Sequence, residues 1–189
     1  MKRFLFFLIL VNAMAGATVP LFADGSAALA TVKKLVGFIR YEKNDLALRQ
    51  IGLQPVSQFL MGSHYEKATV AQRIKFQSLL GEYVELRAFP LALQYFKDID
   101  PSYDAPVQKG QQMHVRSSLL YAGSEQIVFT WVLSEHEGQW VITDFLDQRG
   151  VSSMSTNRDK QIQPVLKAKG VVGLINQMEK IVAAARKAH

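Results

Sequence analysis

The chain has 189 residues, 49% of them hydrophobic and 20% charged, with a formal net charge of +6 and no cysteine. This length fits a single domain with its own core, and the missing thiols exclude disulfides, thiol catalysis and thiolate metal sites. The basic excess suits an anionic lipid surface or plain solubility, and no nucleic-acid motif accompanies it.

Residues 1–23 read as an export leader. Lys2 and Arg3 precede an uninterrupted apolar run over 4–11, and small-x-small sites allow cleavage after Ala17 or Ala23. The apolar run is too short to span a bilayer. Loss of Lys2 and Arg3 takes the charge from +6 to +4. The mature chain, 24–189, is then one domain working outside the cytoplasm, most simply in a periplasm.

Ser26 can cap a helix with Leu29, Val32, Leu35, Val36 and Ile39 at spacings of three and four. Asn44 and Asp45 open a second helical segment, which Gly52 and Pro55 interrupt. Thr69 and Gln72 form a capping box ahead of a helix carrying Phe76, Leu80, Tyr83 and Val84, and Pro90 kinks or ends it. An amphipathic turn with Leu91, Leu93, Tyr95 and Phe96 leads to a loop over 98–101.

The period then changes. A weak strand is expected around 105–109. Met113, Val115, Ser117, Leu119 and Tyr121 alternate with their neighbours, as do Ile127, Phe129, Trp131 and Leu133, and a third strand covers 139–147. The helical period returns with Ile162, Val165 and Leu166, Gly170 ends that helix, and Val171, Leu174, Met178, Val182 and Ala185 mark the last one. The order predicts an α+β fold, a curved antiparallel sheet of three to five strands packed against a helical layer. The strand around Trp131 also carries Val128 and Val132 on its other face. Either helices cover both faces, or one face closes over an apolar ligand.

Catalytic signatures are missing. The four histidines, His64, His114, His136 and His189, have no metal spacing, and no nucleophile elbow or phosphate loop is present. Asp144, among apolar strand residues, could serve as a general base in an envelope lipid hydrolase; such a carboxylate more often satisfies a helix N-terminus or a cation.

Residues 61–84 and 138–178 resemble the MlaC, or toluene-tolerance, family of periplasmic phospholipid-binding proteins. In the first stretch Met61, Gly62, Tyr65, Thr69, Gln72, Arg73, Phe76 and Tyr83 match; in the second Gly138, Trp140, Asp144, Gly150, Val151, Ser152, Lys169, Gly170, Gly173 and Leu174 match. Val70 stands where the family has proline. The resemblance implies a sheet of the NTF2-like type under helices and an apolar pocket for phospholipid acyl chains, with no catalysis, cofactor or metal. It implies a lipid shuttle between an outer-membrane lipoprotein complex and an inner-membrane ABC transporter complex that keeps the outer membrane asymmetric. A hopanoid-associated branch of the family is the alternative. Transient membrane-surface contact, a monomeric state and no nucleic-acid partner complete the expectation. The candidate lipid-binding wall is Leu80, Val84, Phe129, Trp131, Ile142, Phe145, Val151 and Met154, each of which could instead be ordinary core. Arg158, Lys160, Lys167 and Lys169 are candidates for the pocket mouth, for an acidic partner, or for a solvated helix face. A protein-binding envelope module with a fully packed sheet is the remaining reading.

Overall fold

The computed structural model describes residues 21–188. The expected leader lies outside these residues except for its last three, and His189 lies outside as well.

The first helix, α1 (Leu21–Arg40), is already helical from Leu21, so Ser26 sits inside it and does not cap it. Its end is pinned: the Arg40 guanidinium donates to the carbonyls of Phe96 at 2.8 Å and Ile99 at 2.9 Å and meets Asp100 at 2.7 Å. After α2 (Asn44–Leu48) the chain touches the sheet. Gly52 N–H donates to the Ile142 carbonyl, and Ile142 N–H to that of Gln50, both at 2.9 Å. A Cβ at Gly52 would meet Val141 Cγ2 at 2.7 Å and Pro55 Cγ at 2.8 Å, so only glycine allows this approach. Gly52 falls, as expected, in the break between α2 and the next helix, α3 (Leu53–Met61), whereas Pro55 does not interrupt a helix. Gly52 caps α3, and Pro55 sits in its first turn, where a missing N–H costs nothing. The short α4 (Ser63–Lys67) follows.

The capping box forms at the start of α5 (Val70–Tyr83). Gln72 N–H donates to the Thr69 hydroxyl at 3.2 Å, and Thr69 N–H donates back to Gln72 Oε1 at 2.9 Å. Pro90 does not end this segment. A π-helical turn, Val84–Ala88, carries the chain into α6 (Phe89–Phe96), where Pro90 falls in the first turn. In a strict α-helix, residues 80 and 96 would lie about 160° apart around the axis. The wider turn corrects this drift and keeps Leu80, Val84, Ala88, Ala92 and Phe96 on one cavity wall.

The sheet is antiparallel. Strand β3 (Gln112–Tyr121) pairs on one side with β1 (Ser102–Tyr103) and β2 (Val107–Lys109), and on the other with β4 (Glu125–His136), which pairs with β5 (Gln139–Leu146). Val115 lies opposite Trp131 and Ser117 opposite Phe129. Trp131 Nε1 donates to the buried Ser117 hydroxyl at 3.1 Å, satisfying both polar groups in an apolar layer. A bulge between β4 and β5 sets Leu133 opposite Ile142 and Val132 opposite Asp144, so Ile142 and Phe145 both reach the inner face despite their opposite parity. Val128 lies in a hollow of about 330 Å³ on the outer face, with His114, Arg116 and Thr130.

The chain closes with α7 (Ser153–Asn157), a second π-helical turn (Arg158–Ile162) and α8 (Gln163–Arg186). Gly170, at φ 64°, breaks α8 as its residue type predicts. Two apolar cores result. One packs α1 and α6 onto the sheet; the other joins α3, α4, α5 and α8. Among the described residues no helix is long and apolar enough to cross a membrane.

Candidate functional site

A cavity of about 890 Å³ opens between the sheet and the helices, near the upper end of the range for small-molecule pockets. The sheet contributes Leu119, Ile127, Phe129 and Trp131 from β3 and β4, and Ile142 and Phe145 from β5. Leu35 and Ile39 of α1 and Val56 of α3 close one side, and the α5–α6 segment closes another. Met154 of α7 lines the cavity together with Ser153 and Asn157.

The inner wall is aromatic and self-braced. Phe129 stacks on Phe145 with centroids 5.0 Å apart, and Trp131 meets Phe129 and Phe145 edge-on at 5.4 and 5.3 Å. Phe96 of α6 approaches Phe129 and Trp131 at 6.3 and 6.2 Å. These are favourable ring geometries. They hold flat apolar faces around an opening without filling it.

Seven of the eight residues expected from the sequence line this cavity: Leu80, Val84, Phe129, Trp131, Ile142, Phe145 and Met154. Val151 does not. It is 48% exposed, because Asp147 Oδ1 accepts its N–H at 2.9 Å and Asp147 N–H donates to its carbonyl at 3.1 Å. That tight turn aims the side chain at solvent. Of the four candidate cations none lines the cavity: Arg158 pairs with Asp159 at 2.8 Å and lies 4.5 Å over the Phe59 ring, while Lys160, Lys167 and Lys169 are exposed. Sequence reasoning missed the contribution of Leu35 and Ile39 and also Arg87, whose position one turn beyond Tyr83 was the available signal.

Asp144 lines the cavity, and its oxygens are already engaged. Oδ1 accepts the N–H groups of Phe145 at 2.7 Å and Met154 at 3.0 Å, and the Ser152 hydroxyl donates to Oδ2. Ser152 in turn caps α7, accepting Ser155 N–H at 2.8 Å. The carboxylate thus ties β5 to the start of α7. Among the described residues no cluster of three histidine or acidic side chains could hold a metal.

This arrangement defines the class: an α+β protein built around a large apolar binding cavity. A sequence profile of the MlaC protein matches residues 39–180, and the chain belongs to the MlaC family. It is 25% identical over 172 residues to the intermembrane phospholipid transport system binding protein MlaC of Haemophilus influenzae, covering 88% of this chain and 78% of the relative. Its fold matches a solved phospholipid-binding protein from Ralstonia solanacearum, determined in complex with a phospholipid, at a TM-score of 0.71 and 17% identity, covering 86% of this chain and 98% of the other.

Proposed function

We propose that this protein is a periplasmic phospholipid carrier that holds acyl chains in the cavity and leaves the headgroup in water. The observation that carries this reading is the volume and composition of the cavity, about 890 Å³ walled by aromatic and aliphatic side chains from both layers. Each CH₂ moved out of water is worth about 0.8 kcal/mol, so a sixteen-carbon chain gains on the order of 10 kcal/mol from cover. A carrier needs that cover and no reaction, and the two relatives described as phospholipid proteins support the choice of cargo. In the wider role, the carrier takes lipid between an outer-membrane lipoprotein complex and an inner-membrane ABC transporter complex, touches the membranes briefly, and sustains outer-membrane asymmetry.

Native mass spectrometry of the mature protein, purified without detergent and followed by solvent extraction, tests the reading. A phospholipid at near one per chain is the expected result. An extracted hopanoid would move the protein to the other branch of the family. A protein that is empty and takes up no phospholipid from vesicles would overturn the carrier reading.

A further inference from the structure

The cavity wall carries two charged side chains, and they differ in one respect. Asp144 is held by two backbone N–H groups and the Ser152 hydroxyl. Arg87 is exposed, and among the described residues it has neither an ion-pair partner nor a side-chain hydrogen bond. It is the one cation on the wall among those residues.

Its place in the wall is defined by helical spacing. Tyr83, Arg87 and Leu91 succeed one another at steps of four through the π-helical turn, all three line the cavity, and all three are open to solvent, Tyr83 at 37% and Leu91 at 55%. The row is therefore the rim, where apolar wall meets water. The acids nearby in sequence do not compensate Arg87. Glu82 is gripped by both nitrogens of the Arg186 fork. Glu85, only two positions away, points to another side of the helix, and burial raises its carboxyl above the usual range, with Asp45 and Glu82 adding to the effect. Ser153 and Asn157 also line the cavity and offer a hydroxyl and an amide.

We propose that Arg87 grips the phosphodiester of the bound lipid. This inference rests on the carrier reading. The argument is chemical: acyl chains filling the cavity leave the headgroup at the rim, and a phosphodiester brings one negative charge there. A guanidinium presents a planar fork of N–H donors matched to two phosphate oxygens. An unpaired arginine at that level gives the cavity a means of distinguishing phospholipids from neutral lipids with the same chains.

The test uses delipidated mature protein titrated with two lipids of identical brominated acyl chains, a phosphatidylglycerol and a diacylglycerol. Bromine near Trp131 quenches its fluorescence and reports filling of the cavity. The expected result is that Arg87→Gln weakens phosphatidylglycerol binding about fivefold, a size suited to a partly exposed charge-assisted contact, and leaves diacylglycerol binding unchanged. Arg87→Lys, which keeps the charge but loses the fork, falls between the two. Equal loss of both lipids in Arg87→Gln would make Arg87 a structural part of the wall and overturn the inference, as would no loss of either. Excess inorganic phosphate is expected to leave the phospholipid in place, and displacement by phosphate alone would overturn the inference by revealing a free-anion site. If the unsubstituted protein binds neither lipid, the carrier reading falls and this inference with it; a protein that binds both lipids but ignores the Arg87 changes sinks only the inference.

Discussion

In the core of α3, α4, α5 and α8, Met61, Phe76, Leu166 and Leu174 are at most 2% exposed, and none of them lines the cavity. Against the sheet, Phe129 and Trp131 are 3% and 6% exposed and both face it. Burial is almost the same and packing is not. In the first core the side chains pack against one another. In the second, rings 5.0 to 5.4 Å apart lean on one another and keep their faces toward open volume. The difference shows that shielding from water does not by itself mean contact with protein, and that aromatic pairing can hold a wall in shape where side chains do not fill the space behind it.

The strongest way to break the comparison is to open a hole in the full core. Phe76→Ala should lower unfolding free energy by about 3–5 kcal/mol, read from urea denaturation, while the folded fraction still takes up lipid. The complementary change fills the open core. Ala92→Trp places an indole on the cavity wall, and phospholipid uptake from vesicles should fall at least about tenfold while stability moves by less than about 1 kcal/mol. A large stability loss in Ala92→Trp would show that the wall is as tightly determined as the helical core, and the contrast would be void. The smallest effect lies on the other side of the sheet. Burial lowers the His114 imidazole below its ordinary value, with Lys109 adding to the shift and Asp144 opposing it. The unfolded chain takes this proton near pH 6.5 and the folded chain only at lower pH, so the unfolded form binds more protons between those points and stability falls as pH falls. Thermal melts between about pH 7.5 and about pH 5 should show a slope that His114→Gln flattens, by under about 1 kcal/mol, with lipid uptake unaffected.

The sheet was legible because Met113 to Tyr121 alternate, and Ile127, Phe129, Trp131 and Leu133 mark one apolar face of the next strand even though Val128 and Val132 make its other face apolar too. The capping box at Thr69 and the break at Gly170 were legible because each is a local rule. What was lost depended on neighbours distant in sequence. Gly52 was legible as a break between helices, but the sequence does not show β5 passing within reach of it, nor that Pro55 opens the next helix. Pro90 was expected to kink or end the helix; the π-helical turn that carries the chain past it leaves no mark in apolar periodicity. At the site, Phe129 and Trp131 announced an apolar face, and the β4–β5 bulge explains how Ile142 and Phe145 share it. Val151 was placed on the wall by its resemblance to a family position, yet the hydrogen bonds of Asp147 turn it outward. Leu35 and Ile39 were placed on the apolar face of the first helix, and periodicity says nothing of a void beside such a face.

Helix α5 stands between the filled core and the cavity. α5 sends Phe76 and Leu79 into the filled core and Leu80 toward the cavity. It is held alongside α8 by Lys75 with Glu179 and by Arg186 with Glu82. Close-packed interiors pass strain on rather than absorb it. The bore of the cavity is therefore gauged partly by side chains that no cargo touches.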